Sequence, residues 1–192
     1  NPSLQRRSSD PTNPRLWIIT DQKQRTNVPH IYAIGDVTGD PMLAHRSAHQ
    51  GKVAAEVASG HPSAFTPLGI PSVAYTQPEI AWVGLTEQEA KTQGVTYKKA
   101  SFPWQASGRA LSSMATDGVS KALFDPTTGR LLGAGITGKN AGELIGEAVL
   151  ALEMGAVAED IALTIHPHPT LSETFALAAE LAEGTATDTL NR

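Results

Sequence analysis

The chain of 192 residues contains no cysteine, so it holds no redox-active disulfide of its own, and thiol–disulfide exchange requires a thiolate. Basic charge is also scarce. Fifteen Lys and Arg stand against 19 Asp and Glu, for a net charge of −4. The cations are not clustered, which argues against nucleic acid or an anionic membrane surface as partner, because both need a concentrated positive patch. No uninterrupted apolar run is long enough to span a bilayer, and no signal-peptide pattern opens the chain. A cytoplasmic location is expected. Apolar residues make up 40% of the chain, ordinary for a globular protein, and the length allows one domain or one plus a fragment.

Against these absences stands one dense run near the C-terminus, His166-Pro167-His168-Pro169-Thr170-Leu171-Ser172-Glu173. The two prolines remove backbone donors, fix their own φ and bias the preceding residues toward extended backbone, so His168 sits on stiff chain. Thr174 to Glu183 reads as an amphipathic helix stopped by Gly184, which puts Glu173 in its first turn. A carboxylate there can select an imidazole tautomer and stabilise its protonated form. The same spacing makes Thr170 and Glu173 a T-x-x-E capping box with no chemical role. Residue order does not choose between the His168–Glu173 dyad and the cap.

Residues 1–15 are rich in Pro, Ser, Asn and Arg without hydrophobic period and read as loop. Leu16 to Thr20 is a short strand candidate. Ile31 to Ile34 reads as a buried strand ending in Gly35-Asp36, where a carboxylate can accept hydrogen bonds from a ligand's hydroxyls. Pro41 is a good first helical residue, so a helix is expected from Met42 to Ser59 with Gly60 as its stop. Its first amides, at Met42, Leu43 and Ala44, would then be available to a ligand's phosphates. His45 and His49 lie one turn apart, but no third ligand is spaced to join them, so no metal site is expected.

Residues 60–69 contain His61-Pro62 and Pro67 and read as a connector, with a boundary near residue 66. Beyond it, strands are expected at Ser72–Tyr75, Ile80–Gly84, Tyr97–Phe102, Val119–Phe124 and Arg130–Thr137, forming an antiparallel sheet. Helices are expected at Glu87–Gln93, boxed by Thr86 and Glu89, and at Glu143–Met154, covering one face of the sheet. Gly133-Ala-Gly-Ile-Thr-Gly138 satisfies the dinucleotide fingerprint, yet it lies in the second arm of a hairpin and no βαβ unit follows. Close packing is the better reading of its glycines.

Several longer words complete the picture: Ile70-Pro-Ser-Val-Ala-Tyr-Thr-Gln-Pro-Glu79, Ala81-Trp-Val-Gly-Leu-Thr86, Phe102-Pro-Trp104 with Ser107-Gly-Arg-Ala110, and Ala158-Glu-Asp-Ile-Ala162 leading into the His166 run. On these words the stretch from Ile70 to Ala182 resembles the dimerisation (interface) domain of the flavin-dependent disulfide reductases, closest to the dihydrolipoyl dehydrogenase branch. Upstream, Thr26-Asn-Val-Pro-His-Ile-Tyr-Ala-Ile-Gly-Asp36 with Pro41-Met-Leu-Ala-His45 is similar to the family's second flavin-binding segment.

The resemblance implies an α+β fold: residues 1–66 as the remnant of an FAD-binding α/β region, and residues 67–192 as an interface domain whose antiparallel sheet is flanked by helices. It implies FAD, approached by Gly35, Asp36, Met42, Leu43, Ala44 and His45, and NAD, bound by a part not contained here. It makes His168 the base toward a dithiol and Glu173 the carboxylate that orients it, serving the partner's active site in a homodimer. Dihydrolipoamide carried on the acyltransferase of a 2-oxo acid dehydrogenase complex is the implied substrate. The missing cysteine pair and the start at Asn1 lead to the expectation of a C-terminal fragment, inactive alone. The alternatives are a sister reductase acting on a glutathione-type disulfide or, for the isolated fragment, a dimerisation and docking module without activity.

Overall fold

The computed structural model describes residues 3–7 and 16–187. The chain forms two compact units, residues 1–67 and 68–192.

In the first unit, Arg6–Arg7 (β1) pairs antiparallel with Trp17–Ile18 (β2). This corrects the expectation of a continuous loop before Leu16; residues 1, 2 and 8–15, assigned to that loop, lie outside the described residues. The two-residue strands are too short for a side-chain period to mark them in the sequence. The expected strand at Ile31–Ile34 does not form either. Tyr32 makes a single bridge to Arg25, Ala33 is buried, and Ile31 and Ile34 are exposed. Residues 24–33 are instead laced by turns: the Ile31 amide donates to the Val28 carbonyl, the Thr26 amide and hydroxyl to Ile31, and the Ala33 amide to Gln24. Gly35–Thr38 is then one 3-10 turn.

The helix that follows, α1, is Ala44–Ala58, not Met42–Ser59. Pro41 is not its first residue, and Leu43 stands as an extended N-cap at φ −132° and ψ 131°. The physical reason lies in Arg46. Its buried guanidinium donates to the carbonyls of Gly39 at 2.6 Å and Pro41 at 3.0 Å and to the Thr38 hydroxyl at 3.0 Å, which ties the chain before Ala44 into a turn outside the helix.

The second unit is built on a five-stranded antiparallel sheet in the order β3-β4-β7-β6-β5, with β3 Ser72–Ala74, β4 Glu79–Gly84, β5 Lys98–Pro103, β6 Val119–Phe124 and β7 Leu131–Gly138. Period-two burial dictates one core face: Ala81 and Val83 of β4 point inward while Ile80 and Trp82 are exposed. Helix α4, Ala141–Met154, packs on β4 and β7, and α6, Glu173–Glu183, on β5 and β6. The apolar stripe of α4, Ala141, Ile145, Ala148 and Leu152, follows the helical period into this core, where Phe102, Trp104, Phe124 and Phe175 are fully buried. Helix α2, Glu87–Gln93, carries the capping box between Thr86 and Glu89. Two short helices without a hydrophobic period long enough to read, α3 Gly108–Ser112 and α5 Ala158–Leu163, complete the unit, and α5 packs against α6.

Two glycines of the fingerprint-like run, Gly133 and Gly138, are packing positions in β7, while Gly135 has room for a Cβ. A Cβ on Gly133 would meet the Leu85 backbone, and one on Gly138 would meet the Trp104 ring.

Candidate functional site

Helix α6 brings His168 and Glu173 together. His168 Nδ1 lies 3.1 Å from Glu173 Oε1, while Glu173 Oε2 accepts the Thr170 amide at 3.1 Å. The Glu173 amide returns to the Thr170 hydroxyl at 3.4 Å, which itself donates to the Pro167 carbonyl at 2.7 Å. The carboxylate therefore makes the imidazole contact and the cap at once, one oxygen to each. An ionised carboxylate only accepts, so Nδ1 carries the hydrogen, and in the neutral ring Nε2 presents a lone pair. The His168 side chain is 77% exposed and that of Glu173 only 13%. An imidazole oriented this way can take a proton from an incoming group at Nε2.

The start of α6 is fixed from below by a buried chain of hydroxyls. Trp104 Nε1 donates to Ser120 Oγ at 3.0 Å, Ser120 Oγ lies 2.7 Å from Thr174 Oγ1, and Thr174 Oγ1 donates to the Leu171 carbonyl at 2.6 Å. One direction of donation satisfies all three. Beside it, His166 is held at both ring nitrogens: Nδ1 faces the Thr164 carbonyl at 2.8 Å and Nε2 faces Glu147 Oε1 at 2.7 Å, from α4. Leu163, Ile165, His166, His168, Glu173 and Leu177 line one open hollow, and Leu163 and Ile165 stand exposed at its rim.

In the first unit, Gly35 is buried at φ +71°, its amide donating to Gln50 Oε1 at 2.7 Å, and a Cβ there would strike the Ser47 side chain. Asp36 is exposed in the 3-10 turn, where its carboxylate can accept from hydroxyls. Because α1 starts at Ala44, Met42 and Leu43 precede it, Leu43 in extended backbone, and the helical ladder opens with the Ser47 amide donating to Leu43. Met42, Ala44 and His45 are exposed and Leu43 is half-buried. His45 and His49 are both exposed, and the described residues contain no group of three or more His, Cys, Asp or Glu that could hold a metal ion. Burial lowers the pKa of the Arg46 guanidinium, against Asp36 and Asp40, whose charges favour its ionised form.

Residues 70–179 match the pyridine nucleotide-disulphide oxidoreductase dimerisation domain, and residues 1–51 match the pyridine nucleotide-disulphide oxidoreductase domain. The chain belongs to this family. Among curated oxidoreductases of the family, it is 59% identical over 177 residues to a dihydrolipoyl dehydrogenase of Vibrio cholerae, covering 92% of this chain and 37% of that one. It is 51% identical over 171 residues to a dihydrolipoyl dehydrogenase of Geobacillus stearothermophilus, covering 89% and 36%. The chain thus spans a little over a third of the length of these relatives. Among solved oxidoreductases, LpdA from Mycobacterium tuberculosis superposes with a TM-score of 0.80 at 29% identity, covering 85% of this chain and 36% of that one. The HOCl-induced flavoprotein disulfide reductase RclA from Escherichia coli follows at 0.79 and 27%, covering 88% and 39%. As members of the pyridine nucleotide-disulphide oxidoreductases, residues 70–179 are a dimerisation domain in an α+β fold, and the family's cofactors are flavin and nicotinamide. No helix among the described residues is long and apolar enough to cross a membrane.

Sequence reasoning did not assign Arg46, Gln50, Ser120, Thr174 or the Glu147–His166 pair. Arg46 and Gln50 carry a readable signal, being polar residues in phase with Val53 on the buried face of α1. Ser120 and Glu147 do not, since their partners lie 54 and 19 residues away.

Proposed function

We propose that this chain is the C-terminal part of a dihydrolipoyl dehydrogenase, a homodimeric enzyme that oxidises the dithiol of dihydrolipoamide to a disulfide and reduces NAD⁺ to NADH with release of a proton. In this reading residues 1–66 are the remnant of the flavin-binding region and residues 67–192 the interface domain. The observation that carries it is the division of Glu173 between His168 and Thr170, which holds an exposed imidazole in the tautomer a base requires. His168 Nε2 takes the proton of the dithiol, and Glu173 stabilises the imidazolium that results. The thiolate so formed is the competent nucleophile for exchange with a disulfide supplied by the rest of the enzyme.

Gly35 and Asp36 fit a flavin: the glycine leaves no Cβ at a turn already closed by Ser47, and the carboxylate beside it accepts from polyol hydroxyls. Ala44 and His45 at the start of α1, with Met42 and Leu43 before them, would meet the same group. The chemistry the flavin supplies when bound is transfer of an electron pair between disulfide and nicotinamide. The acyltransferase core of a 2-oxo acid dehydrogenase complex is the partner that would present the lipoyl substrate, and a cytoplasmic location goes with this reading. The glutathione-type alternative is disfavoured by the dihydrolipoyl dehydrogenase relatives.

The test is dihydrolipoamide-dependent NAD⁺ reduction by the full-length flavin-loaded protein beside its His168→Gln variant. Loss of about 10²-fold or more in kcat with flavin retained is expected for removal of a general base. A wild type that ignores dihydrolipoamide but reduces another disulfide would replace the substrate, and an undiminished variant would reduce Glu173 to a helix cap.

A further inference from the structure

Between the end of α5 at Leu163 and the Thr170 cap, the main chain is held by few bonds, among them that of the Thr170 hydroxyl to the Pro167 carbonyl at 2.7 Å. Ile165–Pro169 makes no backbone–backbone hydrogen bond among the described residues, and Ile165, Pro167, His168 and Pro169 are all exposed. Ile165 is 96% exposed, so the segment gains no anchor from its apolar side chain. The exception is His166, whose side chain is only 9% exposed. Its two ring nitrogens both meet acceptors, the Thr164 carbonyl at 2.8 Å and the Glu147 carboxylate at 2.7 Å. A carbonyl oxygen cannot donate, so Nδ1 carries a hydrogen, while the Glu147 carboxylate closes the other end of the ring at Nε2. A ring held at both ends cannot rotate without losing one of these contacts.

Glu147 stands on α4, which is packed into the core through Ile145 and Ala148 on either side of it in sequence. We propose that Glu147 and His166 form a positioning pair that ties the exposed His166–Pro169 segment to α4 and so sets the place of His168 two residues on. Pro167 passes the constraint along, because its φ is locked by its ring. The inference rests on the reading of His168 as the base. Glu173 orients the ring of His168, and Glu147 through His166 places the backbone beneath it. Neither Glu147 nor His166 touches substrate in this arrangement.

Substitutions in the full-length flavin-loaded dimer test this. The variants are Glu147→Ala, Glu147→Gln, His166→Ala and His168→Gln, each assayed for dihydrolipoamide-dependent NAD⁺ reduction and for NADH oxidation by ferricyanide. The second reaction needs the flavin but no dithiol base. Glu147→Ala and His166→Ala should lose about tenfold in kcat for dihydrolipoamide, the scale on which a misplaced catalytic group acts, with KM changed less than about twofold. Their ferricyanide rates should equal wild type. Glu147→Gln should recover most of the loss, since its amide can donate to Nε2 of a neutral ring. Wild-type dithiol rates in Glu147→Ala and His166→Ala beside an inactive His168→Gln would overturn the positioning pair and leave the base standing. Equal losses in both reactions would overturn it as well, by reducing the pair to general fold support. A fully active His168→Gln would remove the base assignment and the inference together.

Discussion

The Ser120 hydroxyl lies 2.7 Å from that of Thr174, with both residues fully buried, and it also receives the indole N–H of Trp104 at 3.0 Å. Replacing Ser120 by Ala strands that indole donor in the core. A buried group left unsatisfied costs about 1–3 kcal/mol, so Ser120→Ala should lower unfolding free energy by that amount in a denaturant titration with the m-value unchanged. A variant as stable as wild type would mean that the hydroxyl chain contributes nothing to the seating of α6.

Glu87 sits between two lysines, 2.6 Å from Lys121 Nζ and 3.2 Å from Lys99 Nζ. The Lys121 hydrogen bond holds its pKa below the ordinary 4.5; burial opposes it, and the Lys99 hydrogen bond and the charges of both lysines add to the lowering. A carboxylate whose folded pKa is depressed adds stability above its unfolded value and loses it as pH falls through the folded one. The melting-temperature gap between wild type and Glu87→Gln should therefore be full at pH 7, shrink below pH about 4.5 and close once both states are protonated. Salt should narrow it too, since all three side chains are a third or more exposed. A gap independent of pH would refute this account.

Gly133 lies against the backbone of Leu85, which cannot move aside as a side chain can. Gly133→Ala should cost about 1–3 kcal/mol or more by overpacking, read by thermal or chemical unfolding. If the same variant in the full-length protein kept its stability but lost affinity for a nicotinamide cofactor, the glycine run would be a dinucleotide site after all.

Arg46 is buried with three acceptors on the turn that carries Asp36 into α1. Arg46→Ala should loosen that turn, and the full-length protein should release its flavin faster, followed by the rise in free-flavin fluorescence on dilution. Arg46→Lys restores the charge as a point donor without the fork, so partial recovery is expected. Unchanged release in Arg46→Ala would separate the turn from flavin retention.

The second unit was legible where a local signal and the tertiary contact agree. The period-two strands, the Thr86–Glu89 box and the stripe Ile145, Ala148 and Leu152 each announce in a few residues what the core uses. The first unit was less so. Ile31-Tyr-Ala-Ile34 has strand composition, yet the chain around it closes on its own turns and leaves both isoleucines exposed. The start of α1 was misplaced because Pro41 is a good first helical residue in isolation, while the side chain that overrules it comes five positions later, at Arg46. At the candidate site the His168–Glu173 spacing was readable, but the choice between dyad and cap was not, because it is made by two oxygens of one carboxylate.

That shared carboxylate makes the two halves of the pair unequal as experimental targets. His168 stands in the open on a single side-chain bond, so exchanging it alters chemistry with little consequence for the hydrogen bonding of the fold. Glu173 is a splice between reactivity and architecture: whatever replaces it perturbs the first turn of α6 in the same stroke, and a slow Glu173 variant speaks for catalysis only when its stability has been measured alongside.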